Sequence, residues 1–194
     1  MTPTLSTAAH PALDRLRAAT GAAHRRLDAM LDVVEALSCS RRRPELVRRY
    51  RRFHAGAAIL LRPWAAAEHR SWLAAHDPGG VVVPEWRRFA PGCAAEALGL
   101  RYVIEGSALG GRVILRTLEA RGVQTAELGF LDPLGDAAGA TWRGFLCLLE
   151  RSLATAPARD AAVRGAENGF AFAERELCGA QNGDRVTSGM ERVA

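Results

Sequence analysis

Residues 102–122 read YVIEGSALGGRVILRTLEARG, a helix with three glycines in its interior, Gly106, Gly110 and Gly111. Each costs roughly 0.8–1.0 kcal/mol relative to alanine at such a position. Gly106 and Gly110 are four apart and therefore share one face of the helix, and Gly111 widens the gap. Two arrangements call for bare backbone here. One is a close crossing with a second helix. The other is a flat ligand pressed against the main chain, over which the helix can bend.

Outward from this segment the chain continues to read as helix. A first helix is expected from Pro11 to Leu37, with Leu13, Leu16, Thr20, Ala23, His24, Leu27, Leu31 and Val34 on one stripe. A second starts near Pro44, a suitable first-turn proline, and carries Leu46, Tyr50, Phe53, Ala57, Leu60 and Trp64 on one face. Pro63 is expected to kink or break it, with a helical continuation to His76 before the stop signal HDPGG. VVVPEWRRFAPG is a proline-rich connection, and helix resumes at Cys93 and runs through the glycine segment to Arg121. GVQTAELGFLDPLGDAAGA reads as a long loop, and two closing helices follow. In the last of them Val163, Phe170, Ala173 and Leu177 form the buried stripe. The expected architecture is all-α: a flexible start over 1–11, one helical domain over 12–178, and a polar, aperiodic, disordered tail over 179–194.

Composition agrees, with 48% apolar and only 6% aromatic residues and few β-branched runs. No apolar stretch has the length of a membrane span, and no basic segment followed by an apolar core marks a signal peptide, so a cytoplasmic protein is expected. Cys39, Cys93, Cys147 and Cys178 are far apart, without the spacing of a zinc cluster or of a thioether-linked cofactor, and read as free thiols. The formal charge is +5, and seven arginines fall between Arg41 and Arg52. That run is either a solvated helix face or a docking surface for an acidic partner. Nucleic acid is not expected, because no nucleic-acid motif or interleaved stacking aromatics accompany it.

His24 is the most informative single residue. On the apolar stripe its imidazole is expected to face the interior, either as a core histidine satisfied by a hydrogen bond or as the axial ligand of a metal cofactor. Asp28, four residues on, can accept the other ring N–H and so fix the tautomer and raise the basicity of the ligating nitrogen. Arg17, two turns earlier on a similar face, is placed to meet an anionic group at the ligand's edge. Tyr102 either reaches the same pocket or packs, and Phe170 either walls it or belongs to the core. His10, His69 and His76 read as peripheral and His54 as structural. Glu68 and His69 are adjacent, which is the wrong spacing for a di-iron carboxylate site. Together, His24 and the glycines describe a planar group held between a histidine helix and a glycine helix.

LRAATGAAHRRLD, YVIEGSALGGRVI and WRGFLCLLE resemble the haem oxygenase family, and most closely its bacterial, bacteriophytochrome-associated branch, in order and spacing from Leu13 to Leu177. The resemblance implies a multihelical fold with haem b between a proximal and a distal helix. His24 matches the proximal iron ligand, Asp28 the acidic residue that steadies it, and Arg17 a partner of a haem propionate. Gly106, Gly110 and Gly111 match the distal glycines, and Arg143 falls near a later propionate contact. Ser107 stands where better-known members carry an aspartate that organises proton delivery; a serine has one donor, two acceptor sites and no charge. The implied reaction opens haem to biliverdin, IXα in that branch, releasing carbon monoxide and iron. It consumes O2 and electrons from an external ferredoxin, flavodoxin or reductase, and an apo-bacteriophytochrome is the implied recipient of the product. A haem carrier or sensor that leaves haem intact fits His24, Asp28 and the glycines equally well.

Overall fold

The structure, a computed structural model, describes residues 10–64 and 83–179. Its helices are α1 (Pro11–Leu31), α2 (Val33–Ser38), α3 (Arg43–Leu61), α4 (Ala94–Ala120), α5 (Ala138–Ser152) and α6 (Ala156–Cys178). Short 3₁₀ turns stand at Arg62–Trp64, Pro84–Phe89, Ala126–Leu131 and Gly135–Ala137, and no strand occurs among the described residues. The protein is all-α. The helical continuation to His76, with Glu68 and His69, lies outside the described residues, as do 1–9 and 180–194.

Local signals account for the helix ends. Pro11 opens α1, whose first free N–H groups, those of Ala12 and Leu13, donate to the Glu150 carboxylate of α5 at 3.1 Å each. A carboxylate there satisfies orphan donors and meets the positive end of the helix dipole. Thr155 caps α6 by accepting the Ala158 N–H at 3.3 Å. Pro63 ends the α-helical part of α3 as expected, since the helix gives way to a 3₁₀ turn at Arg62.

Two boundaries differ from the sequence reading. The expected single helix from Pro11 to Leu37 is broken at Asp32, whose φ of 39° is left-handed and splits it into α1 and α2. The apolar periodicity continues across the break, so it carries no trace of it. The expected long loop after Arg121 contains two 3₁₀ turns, and α5 already starts at Ala138. Leu128 and Leu131 in the first of those turns are buried, and this apolar pair holds the segment against α4.

α4 and α6 form the centre, and their glycines show how closely they approach. A Cβ on Gly99 would lie 1.9 Å from the Ala162 carbonyl oxygen, and one on Gly165 would lie 2.0 Å from that of Glu96. The two backbones therefore touch, and no larger side chain fits at either position. Phe172 fills the space on the other side of α6, with ring centroids 5.6 Å from Phe53, 5.2 Å from Phe89 and 5.9 Å from Trp86. Beyond the Gly99 crossing α4 and α6 separate, and a cavity opens between them, bounded on its third side by α1.

Candidate functional site

The cavity has a volume of about 460 Å³, within the range of roughly 300–1,000 Å³ usual for small-molecule sites. Gly106 and Gly110 line it. They lie on the same face of α4 as Gly99, two and three turns further along, but their role differs. A Cβ at either position would meet no described atom within 4 Å. Packing against the described residues therefore does not explain these two glycines. What they provide is bare main chain facing open space.

Opposite stands His24 of α1. Its Nδ1 is 2.8 Å from Oδ2 of Asp28, and its ring meets Phe170 edge-on at 5.9 Å between centroids. With Nδ1–H donated to the carboxylate, the lone pair is on Nε2, the tautomer a metal ligand needs. The imidazole does not face the core, as the apolar stripe suggested: its side chain is 64% exposed. The reason is that the buried stripe of α1, Ala12, Leu13, Leu16 and Thr20, stops at Thr20 and resumes only at Leu31. Between those points α1 borders the cavity instead of another helix.

Arg17, Tyr102, Ser107 and Phe170 also line the cavity, so the structure gathers eight of the ten expected site residues. Arg17 is exposed at the edge and forms no ion pair among the described residues, leaving its guanidinium available to an anion.

Two residues are not part of the site. Gly111 faces the 3₁₀ turn, and a Cβ there would sit 2.0 Å from the Leu131 carbonyl oxygen. One residue on from Gly110 is a rotation of about 100° around the helix, enough to move it from the cavity wall to a packing contact. Arg143 is exposed on α5 and lies back along its own helix, with Nη1 3.6 Å from the Cβ position of Gly139. Its neighbour Trp142 enters the cavity in its place.

Sequence reasoning missed Tyr50 and Trp142 as cavity residues. Tyr50 sits on the buried face of α3 with nothing in its spacing to separate it from core positions such as Leu46 and Leu60, yet it lines the cavity. Burial raises its pKa above that of an ordinary phenol, and the negative charges of Asp28 and Cys178 add to the effect. Its hydroxyl is therefore neutral throughout the physiological range.

Among the described residues no group of three or more His, Cys, Asp or Glu side chains could hold a bare metal ion. A metal bound at His24 must bring its own equatorial ligands. A flat macrocycle fits these residues: a single imidazole on one wall, unobstructed backbone on the other, and apolar side chains such as Leu27, Leu109, Val113 and Ile114 at the rim. Asp28→Asn is expected to weaken binding of an iron porphyrin about 10-fold, in the usual range for loss of a carboxylate behind a metal-bound histidine. A hemin titration checks this; affinity unchanged from the parent would show that the 2.8 Å contact does not support ligation.

Over 83 residues, 42% of this chain, the sequence is 45% identical to a curated protein named heme oxygenase from Xanthomonas campestris pv. campestris (strain 8004). The aligned part covers 50% of that protein, so the match spans about half its length. No family model matches the chain. No solved structure matches it.

Proposed function

We propose that the protein is a haem oxygenase that opens haem to biliverdin with release of carbon monoxide and iron. The observation that carries this reading is the pair Gly106 and Gly110, whose bare backbone faces His24 across the cavity. The similarity to a protein named heme oxygenase supports it.

Haem, when bound, supplies the oxygen-activating iron and is itself the molecule that is opened. The remaining tasks fall to the chain. His24 offers Nε2 as a neutral ligand, while Asp28 holds Nδ1–H and prevents the ring from turning. Main chain at Gly106 and Gly110 would limit the height of the space left beside a bound ring and so steer a small ligand there toward the ring's edge. Ser107, on the same wall, would order water through its hydroxyl and so hold a proton source beside that space. Arg17 would anchor a propionate, and biliverdin IXα is the product that the resemblance to the bacteriophytochrome-associated branch implies. The biliverdin serves as a bacteriophytochrome chromophore.

Hemin-loaded protein supplied with ascorbate under oxygen is expected to lose its Soret band and gain biliverdin absorption. A persistent Soret band would select the second reading, a haem carrier or sensor. One observation favours that reading: among the described residues lining the cavity the carboxylate is that of Asp28, which shares α1 with His24, and none comes from the glycine helix.

Electrons come from an acidic ferredoxin, flavodoxin or reductase that docks on the arginine-rich face of α3. Arg49 and Arg52 are unsuitable for testing this. Arg49 donates to the Leu177 carbonyl at 3.1 Å and Arg52 to Glu176 at 2.6 Å, so both tie α3 to α6. Arg42 and Arg48 are exposed, and among the described residues Arg48 pairs with its helical neighbour Glu45. The double variant Arg42→Glu/Arg48→Glu is expected to slow reductase-driven turnover several-fold at low salt and to leave ascorbate-driven turnover unchanged. Equal reductase-driven rates in parent and variant would place docking elsewhere.

A further inference from the structure

The two ends of the cavity differ chemically. Glu150, near the end of α5, caps the start of α1, and Trp142 of the same helix lies beside Tyr102, with ring centroids 6.2 Å apart. At the opposite end Arg121, just past α4, pairs with Glu35 of α2 at 2.7 Å and draws the last turns of α4 toward the end of α1. Arg17, Tyr102 and Trp142 therefore mark one end, and Leu31, Val33, Val113 and Ile114 the other.

The first end offers a guanidinium, a phenol and an indole N–H, none with a hydrogen-bond or ion-pair partner among the described residues. The second end is apolar. Trp142 is also fixed in position. Its ring centroid lies 6.2 Å from Tyr102 and 5.7 Å from Phe145, tilted 38° and 41° against them. Phe145 is buried in the core, so the indole cannot swing aside without disturbing packing.

A disc held by one axial bond keeps one freedom, rotation about that bond. The His24 ligand sets its centre and the flat backbone at Gly106 and Gly110 sets its tilt, but neither resists turning in the plane. Resistance has to come from side chains at the rim, and the largest rigid one at the donor end is Trp142. We infer that Trp142 is the specificity-determining residue that sets the in-plane orientation of the bound porphyrin, holding its carboxylate-bearing edge toward Arg17 and its apolar edge toward Leu31 and Val113. This rests on the haem reading above and adds the residue that selects which ring edge is presented for opening.

Proton NMR of the ferric hemin complex with cyanide tests the assignment without turnover, because each in-plane orientation gives its own set of shifted haem methyl resonances. The parent is expected to show one dominant set. In Trp142→Ala a second set is expected to rise to roughly a third of the total or more, since a single lost contact is enough to populate an alternative state. Trp142→Leu, which keeps more of the wall and guards against a folding defect in the alanine variant, is expected to show a smaller second set. Both variants keeping the parent's single set would overturn the inference and leave the haem reading standing. A parent that forms no hemin complex would overturn both.

Discussion

Replacing Gly106 and Gly110 together by alanine is expected to make the protein more stable and a worse haem binder. Neither new methyl group meets a described atom within 4 Å, so each substitution recovers most of the helix-propensity deficit, about 0.8–1.0 kcal/mol. For a chain of this size that corresponds to a thermal midpoint raised by about 3–8 °C. The same methyl groups project into the space a disc would occupy. Overlap with a rigid neighbour costs about 1–3 kcal/mol, so hemin affinity should fall roughly 5- to 150-fold. Gly99→Ala is the control, because it lies on the same face of the same helix but would place a Cβ 1.9 Å from the Ala162 carbonyl. It should lower the midpoint and leave the affinity of the folded fraction intact. Thermal melts and hemin titrations on both variants separate the two roles. A lower midpoint in the Gly106→Ala/Gly110→Ala variant would mean that these glycines serve packing after all.

The second large effect is expected at His24. His24→Ala removes the imidazole but leaves the apolar walls, so some hemin should still partition into the cavity, with affinity reduced by roughly 100-fold or more, beyond the loss typical of a supporting residue. The ferric spectrum should lose its histidine-ligated form, and added imidazole should restore it by occupying the vacated space opposite the glycines. The substitution should cost little stability, since the side chain is 64% exposed and touches Phe170 only at a ring edge. A parent-like ferric spectrum in the variant would place the ligand elsewhere.

Much of this site is legible in the chain because helical periodicity places residues on faces without any knowledge of tertiary structure. The interval of four between His24 and Asp28 is a contact distance on any α-helix, and the structure closes it at 2.8 Å. The same interval puts Gly106 and Gly110 on one face. What periodicity cannot supply is the identity of the neighbour across that face. Gly99, Gly106, Gly110 and Gly111 are the same residue in the same helix, yet one meets α6, two meet the cavity and one meets the turn at Leu131. Ser107 lines the cavity, but its handling of a proton depends on water, and the sequence carries nothing about water positions.

The misplacement of Arg143 has a related cause. Arg143 enters from the resemblance and not from helical spacing, and the segment between α4 and α5 folds into two 3₁₀ turns that set which side of α5 meets the cavity. On a helix a one-residue shift rotates a side chain by about 100°, which exchanges Arg143 for Trp142 at the cavity. For His24 the position on the stripe agrees with the structure and the expected burial does not. An apolar stripe marks the side of a helix that faces other elements, and it reads the same whether that side meets packed side chains or a cavity.

The structure of the complex with ferric hemin tests the central claim most directly. Iron is expected to be bonded to Nε2 of His24, with the opposite ring face lying on the main chain of Gly106 and Gly110. Iron on any other side chain, or a porphyrin bound with those two glycines out of contact, would contradict it.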